Sequence, residues 1–247
     1  MTDREILVIS EGPKEETLIK RLFESFSARP VTVVSFKTNI YQLYKLYDSQ
    51  GQDFKDLDLV SVLRGDTTRQ YTDQEKEALT DSRRYTDIFL VFDLDPHDQG
   101  YSTDKILKLM NHFSDSTDAG RLYINYPMVE SFWHMAAPVK WTLQTKSEFR
   151  HRIFCMANLT GYKKAVNKEG FRFSELLSTA DYANVIQAHA LKAGSLVGCS
   201  PKLIVEQSKL EELLRRQCRQ INQSRSGFVV NTSCFLVPEL YPKKVIL

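Results

Sequence analysis

The 247-residue sequence has few cysteines, no long apolar run and no P-loop, and each absence excludes a class of protein. The four cysteines, Cys155, Cys199, Cys218 and Cys234, form no CxxC pair, so we expect buried, reduced thiols and neither a zinc site nor a disulfide framework. No apolar stretch reaches the roughly 18 residues that span a bilayer, and the N-terminus lacks the basic and apolar regions of a signal peptide. We therefore expect a soluble, cytoplasmic protein without membrane contact. Because GxxxxGK(S/T) is absent, any nucleotide hydrolysis would belong to a partner protein.

Charge is unevenly distributed along the chain, although 33 Lys and Arg nearly balance 31 Asp and Glu. Residues 1–139 contain 16 basic and 23 acidic side chains, a net charge of −7, whereas residues 140–247 contain 17 and 8, a net charge of +9. This split indicates that opposite charges serve different tasks, although an uneven solvated surface would give the same pattern. A hydrophobic content of 42% excludes global disorder.

Strand and helix patterns alternate in the first half of the chain. The β-branched runs Glu5–Ser10 and Val31–Phe36 predict buried strands, and apolar residues at helical spacing follow each of them. A second strand–helix–strand series has predicted bounds of Asp87–Phe92, Thr103–Phe113 and Gly120–Asn125. The alternation predicts an α/β fold with a four-stranded parallel sheet flanked by helices.

Two further regions complete the predicted organisation. The polar segment Asp48–Tyr85 is interpreted as an insertion with short helices near Leu57–Leu63 and Gln74–Leu79. We expect a first domain over residues 1–139 and a basic, mostly helical C-terminal region over residues 140–247. Its predicted elements are helices at Ser147–Met156, Tyr182–Ala193 and Leu203–Asn222, and a late strand or buried tail at Phe228–Val237.

Carboxylates follow three of the four predicted strands. Glu11 comes after the first strand, Asp93 and Asp95 after the third, and Glu130 shortly after the fourth. Ligands of an open parallel sheet bind beyond the carboxyl ends of its strands, and clustered carboxylates repel one another unless a cation is present. Hard divalent ions such as Mg²⁺ or Mn²⁺ favour oxygen ligands, so the pattern indicates a metal site. Alternatively, Glu11 only begins a helix and the two aspartates only form a turn.

The sequence Ile9–Glu16 (ISEGPKEE), followed by Phe92–Asp95 (FDLD), resembles the two signature motifs of the TOPRIM fold. The EGPxEE form is most similar to the overcoming-lysogenization-defect (OLD) nucleases and to related small bacterial TOPRIM proteins of anti-phage defence, such as the PARIS toxin. The resemblance covers about Arg4 to Asn125 and implies a Rossmann-like TOPRIM core.

The resemblance also implies roles for the matching residues. Glu11 would act in proton transfer or metal binding, and Gly12 would permit a tight turn. Asp93 and Asp95 would hold Mg²⁺ or Mn²⁺, with Glu15 as a further ligand.

The segment Asn125–His134 resembles a Pro-x-x-Glu element of TOPRIM proteins of the RloB kind. A helix that begins at Pro127 would place Glu130 and His134 one turn apart on one face. Glu130 would then bind or orient the metal, and His134 would contact the substrate. Alternatively, the aromatic side chains of this helix pack inward and Glu130 is solvated.

Basic side chains are concentrated between Lys140 and Arg172, where eight basic and two acidic residues give a net charge of +6. Aromatic residues lie among them, a combination that suits nucleic acid. The candidate ligands of a phosphate backbone are Arg152, Lys163 and Lys164 and, on a later predicted helix, Arg215 and Arg216. An ordinary helical face with lysine and arginine stems over apolar neighbours is the alternative.

These patterns predict a metal-dependent endonuclease that cleaves DNA or RNA, including tRNA. The resemblance implies an effector or toxin of bacterial anti-phage defence, with an ABC/SMC-like ATPase partner and a homodimeric state. Two alternatives remain open at this point: a non-catalytic TOPRIM module that binds nucleic acid or a regulatory partner, and a phosphotransferase that uses the same metal site.

Overall fold

The computed structural model describes residues 5–26, 30–245 and 247. Arg4, where the TOPRIM resemblance begins, lies outside them. The chain divides into two compact units. The first unit comprises Met1–Phe92 and Gly100–Tyr123, and the second comprises Asp93–Gln99 and Ile124–Leu247. The unit boundary after Tyr123 precedes the domain boundary that we expect at residue 139, which stays a prediction.

A five-stranded, mostly parallel sheet with the strand order β2-β1-β3-β5-β4 is flanked by helices, which confirms the α/β class. Its strands are β1 (Glu5–Ser10), β2 (Val31–Ser35), β3 (Tyr85–Asp93), β4 (Ser114–Asp115) and β5 (Gly120–Asn125). Strand β1 pairs in parallel with both β2 and β3, whereas β4 is antiparallel to β5. The four-stranded prediction was therefore one strand short, because a two-residue edge strand has no detectable periodicity.

The helices of the first unit follow the predicted alternation. They are α1 (Pro13–Phe26), α2 (Ile40–Asp48), α3 (Leu59–Gly65), α4 (Asp73–Ala78) and α5 (Thr103–His112). The apolar side chains of helix α1 between Leu18 and Phe26 recur at helical spacing, and they are buried. The two predicted insertion helices are present as α3 and α4, each capped at its N-terminus by a side-chain oxygen, from Asp58 and Thr72 respectively.

The second unit is mostly helical. Its α-helices are α6 (Leu143–His151), α7 (Tyr162–Glu169), α8 (Thr179–Val197), α9 (Gln207–Ser224) and α10 (Leu236–Leu240). The predicted helix Ser147–Met156 was wrong in its second half, because Ile153–Cys155 is strand β6 and pairs antiparallel with β7, Ser226–Phe228. The pairing partner lies about seventy residues away, so local periodicity does not reveal this strand.

Two other segments differ from their predicted form. In place of a helix that begins at Pro127, a 3-10 helix covers Val129–Trp133. The Phe228–Val237 segment is a strand only at its start; residues 229–237 form a buried tail with a short 3-10 helix at Ser233–Phe235.

All four cysteines are free, but only Cys218 and Cys234 are buried, so the expectation of buried thiols is wrong for the exposed Cys155. Across the described ranges, no helix has the length and apolar character that a membrane span requires.

Candidate functional site

The turn between β1 and α1 carries the first predicted site residues. The backbone N–H of Glu11 donates to the carbonyl of Val91 at 3.1 Å, which fixes the turn against β3. Glu15, in the first turn of α1, is buried. The backbone of Gly12 is not left-handed, so the turn does not require glycine there. A Cβ atom at this position would instead lie 3.4 Å from Oε2 of Glu15, so the glycine leaves space beside this carboxylate.

The end of β3 places Asp93 in the second unit as a buried carboxylate, with 3% of its surface exposed. The side-chain amide of Asn125, the last residue of β5, donates to Oδ1 of Asp93 at 3.3 Å. The carbonyl oxygen of that amide accepts a hydrogen bond from the backbone N–H of Ser233 at 3.2 Å, which sets the orientation of the amide. The sequence analysis did not single out Asn125, although a buried polar residue at the end of an apolar strand is a usable signal.

Asp95 combines an unusual backbone with a carboxylate that has one buried oxygen atom. Its φ of +38° lies in the left-handed region, which aspartate tolerates better than most residues. The carbonyl of Pro127 accepts a hydrogen bond from the backbone N–H of Asp95 at 3.3 Å. Its Oδ1 atom is buried and accepts no hydrogen bond from the part of the chain that the structure describes. Burial raises the pKa of Asp95, against the opposing effect of the positive charge of Lys163.

Glu130 lies in the 3-10 helix after β5 and is completely buried, at 0% exposure. The ammonium nitrogen of Lys163 lies 3.9 Å from its Oε1 atom. The alternative interpretation of Glu130 as a solvated residue is therefore wrong. Burial of a carboxylate has a large desolvation cost, so we expect the buried Glu130 to have a structural or functional role.

His134 follows the 3-10 helix and is also buried. Its Nδ1 atom is 3.0 Å from the hydroxyl oxygen of Tyr162, and its Nε2 atom is 3.6 Å from Oε2 of Glu169. Burial lowers the pKa of His134 to about 4, with a further contribution from the charge of Arg152, so the ring is neutral at pH 7. Burial also raises the pKa of Tyr162, and the nearby charge of Glu130 adds to this effect.

The predicted phosphate ligands of the 140–172 region differ in their surroundings. Arg152 is largely covered and pairs with Glu169 at 3.0 Å, so its charge is already partly matched. Lys163 is about half exposed and lies next to Glu130. Lys164 is exposed on α7 and has no partner within the described ranges.

The two predicted phosphate ligands on α9, Arg215 and Arg216, already contact other side chains of the second unit. The guanidinium of Arg215 pairs with Glu211 one turn earlier at 2.6 Å. The guanidinium of Arg216 lies over the ring of Phe228, 5.7 Å from its centroid. These contacts match the alternative of an ordinary helical face more closely than a prepared phosphate site.

The second unit has the type of oxygen ligand that binds a hard divalent cation, but in the described ranges these ligands do not form a complete metal centre. Asp93 and Glu130 are buried carboxylates, and the half-buried Asp95 has a buried Oδ1 atom that accepts no hydrogen bond in the described chain. Over the same residues, no group of three or more His, Cys, Asp or Glu side chains is close enough to form a metal centre. Glu11 and Glu15, the other predicted ligands, belong to the first unit.

Comparison of the chain with models of known protein families gives no match, and comparisons with curated proteins and with solved structures give no significant similarity. Fold and site together define an α/β protein with a mostly parallel sheet and with buried carboxylates after two neighbouring strands.

Proposed function

We propose that this protein is a metal-dependent nuclease of the TOPRIM type that hydrolyses phosphodiesters of DNA or RNA, including tRNA. The observation that carries the proposal is the pair of buried carboxylates Asp93 and Glu130 after the neighbouring strands β3 and β5, together with the half-buried Asp95 two residues after Asp93. This is the edge of a parallel sheet at which ligands bind in many α/β proteins.

The charge of this group favours a cation. Lys163 is a positive side chain near Glu130, and it is about half exposed. Burial of carboxylates is costly unless their charge is matched, and a bound cation would match it. Asp93 and Asp95, together with Glu11 according to the TOPRIM resemblance, would hold Mg²⁺ or Mn²⁺. When bound, the ion would polarise a phosphate oxygen and favour attack by water.

The neighbouring side chains position this group. Asn125 orients Asp93 through its amide, and Asp95, with its left-handed backbone, has a buried Oδ1 atom. The raised pKa of Asp95 makes it a candidate to hold a proton in the absence of metal. Glu11 or Glu15 would accept the proton of the attacking water.

The biological setting rests on the resemblance of the two sequence motifs. We propose an effector or toxin of bacterial anti-phage defence that acts in the cytoplasm as a homodimer, together with an ABC/SMC-like ATPase partner. The missing P-loop supports a division of labour in which the partner hydrolyses the nucleotide.

Cleavage assays with purified variants test this proposal. Plasmid, single-stranded DNA and total tRNA are incubated with Mg²⁺, Mn²⁺ or EDTA. We expect Asp93→Asn, Glu130→Gln and Glu11→Ala each to lower the cleavage rate at least about 100-fold, because each removes a charge that the reaction needs. Asp118→Asn and Glu148→Gln make the same chemical changes at exposed positions and should retain full activity.

Three outcomes separate the alternatives. Full activity of Asp93→Asn and Glu11→Ala, with intact folding, would refute the proposed mechanism. Binding of nucleic acid without metal-dependent cleavage would favour a non-catalytic regulatory module. Transfer of a labelled phosphate to a nucleotide, without strand cleavage, would favour a phosphotransferase.

A further inference from the structure

A pocket of about 420 Å³ lies between α6 and α8, and all of its lining residues belong to the second unit. Its volume falls within the range of small-molecule sites in proteins. Met135, Phe149 and Lys192 are its buried lining residues. The ammonium of Lys192 donates to the carbonyls of Phe149 at 2.8 Å and Arg152 at 2.6 Å. These two hydrogen bonds fix the position of the Lys192 side chain in the pocket lining, near the end of α6.

The lining of this α6–α8 pocket is rich in basic side chains. It includes Lys146, Arg150, His151 and Lys192, but it contains neither aspartate nor glutamate. The side chains of Arg150 and His151 are exposed, and they form neither an ion pair nor a hydrogen bond with the residues that the structure describes. The Arg150 guanidinium, a cation without a counter-charge among the lining residues, favours an anionic ligand.

The same pocket presents apolar and aromatic surface. Trp141 is half-buried, and its Nε1 atom donates to the carbonyl of Ala136 at 2.7 Å, which orients the indole. Two leucines of the lining are unusually exposed for their type, Leu143 at 91% and Leu191 at 59%. Exposure of large apolar side chains to water is unfavourable, and a flat aromatic ligand would cover them.

An anionic group and a flat apolar group are the two parts of a nucleotide. We propose that the α6–α8 pocket binds a nucleotide, with its base against Trp141 and Leu143 and its phosphate at Lys146 and Arg150. The base would displace the Lys146 ammonium from the indole, where it lies 5.1 Å from the ring centroid, and make it available for the phosphate. Aromatic stacking and a basic groove together are the usual features of sites for unpaired bases.

This inference goes beyond the proposed cleavage, because it concerns different residues and a binding equilibrium that needs no metal. The nucleotide could be free in solution or could be one unit of a single strand, and the two sources share the same chemistry. Adenosine monophosphate and ten-nucleotide single strands of RNA and DNA distinguish them, and inorganic phosphate and adenosine test the two parts separately.

Isothermal titration of the full chain in EDTA measures each affinity without cleavage. We expect Lys146→Gln combined with Arg150→Gln to weaken binding of the nucleotide ligands at least about tenfold, because two charged contacts to phosphate are lost. Trp141→Leu should weaken binding by a similar factor through the loss of stacking. The matched control is Lys202→Gln with Lys243→Gln, which removes two exposed charges outside the pocket and should bind within twofold of wild type.

Each outcome of these titrations either supports the proposal or overturns it. Loss of affinity in the pocket variants supports the proposal, and it assigns the pocket to whichever of the monophosphate and the strands binds more tightly. The proposal is overturned if neither kind of ligand binds, if pocket variants bind as wild type does, or if an acidic leucine-containing peptide binds there while nucleotides do not. Because the titration in EDTA measures binding without cleavage, failure of the cleavage proposal remains distinguishable from failure of this one.

Discussion

Nδ1 of His189 accepts a hydrogen bond from the backbone N–H of Asn231 at 3.1 Å. The other ring nitrogen, Nε2, lies 3.2 Å from the carbonyl oxygen of Phe132 and donates to it. A backbone N–H can only donate and a carbonyl can only accept, so the ring is the neutral tautomer with its proton on Nε2. His189 therefore joins α8, the buried tail and the 3-10 helix that carries Glu130.

Acid should destabilise the fold through this histidine. Complete burial lowers the pKa of His189 from 6.5 to about 3, so the unfolded chain binds a proton at a pH where the folded chain does not. Its contribution to stability is fully present above pH 6.5 and decreases as the pH falls towards 3. We expect His189 to account for a loss of about 2 kcal/mol in the free energy of unfolding between pH 8 and pH 5.

Urea unfolding at both pH values measures this loss. His189→Gln retains a donor and an acceptor but cannot be protonated, so the pH-dependent loss should be about 2 kcal/mol smaller in this variant. An equal loss in wild type and variant would contradict the prediction. His134, whose pKa is also lowered by burial, should contribute to the remaining pH dependence.

Lys192 should make the free energy of unfolding depend on pH above neutrality. Burial lowers its pKa from 10.5 to about 7, so the folded chain binds fewer protons than the unfolded chain between these values. Stability should therefore rise with pH in that window, by about 1.5 kcal/mol between pH 7 and pH 8.5. In Lys192→Met this rise should disappear. Thermal or urea unfolding at the two pH values tests it, and an unchanged rise in the variant would refute the assignment.

Gly170 should not tolerate a side chain. A Cβ atom there would lie 2.2 Å from the carbonyl oxygen of Trp133 and 2.9 Å from that of Val166. Because both are backbone atoms, the chain must shift to relieve the overlap. We expect Gly170→Ala to lower the free energy of unfolding by about 1–3 kcal/mol. Gly161→Ala is the matched control, since its Cβ would have no described atom within 4 Å, and comparable destabilisation of both variants would contradict this account.

Divalent cations should stabilise the fold through Asp95. Its buried, uncompensated oxygen and its raised pKa make the ionised form unfavourable until a cation is bound. We expect Mn²⁺ or Mg²⁺ to raise the melting temperature of wild type, and EDTA to reverse the rise. Asp95→Asn should show a much smaller rise, whereas Asp118→Asn should behave as wild type does. Metal-dependent shifts of equal size in both variants would exclude Asp95 as a ligand.

Much of the sheet could be predicted because its strands are long and continuous in sequence. Glu5–Ser10 and Gly120–Asn125 have the predicted bounds, since a short apolar segment bounded by polar or turn residues already indicates a buried strand. Strand β6 could not be predicted in this way, because it exists through its pairing with β7 far along the chain. The same applies to the two-residue strand β4.

The candidate site also has features that the local sequence predicts and features that depend on distant residues. The positions of Asp93 and Asp95 follow from where an apolar strand ends, which is a local property of the sequence. The contact between Asn125 and Asp93 joins the ends of two strands, and the contact between Tyr162 and His134 joins α7 to the segment after β5. Such contacts between distant residues leave no periodic signal.

The sequence by itself determined the alternation of strands and helices and the places where carboxylates follow the strands, because both depend on neighbouring residues. Only the tertiary structure decided which charges are buried and which are paired. Glu130 is enclosed beside Lys163, Arg152 is matched by Glu169, and Lys146 and Arg150 line a pocket without acids. Burial and pairing are set by chain segments that meet only in the folded state, and these two properties give each ionisable group its chemistry.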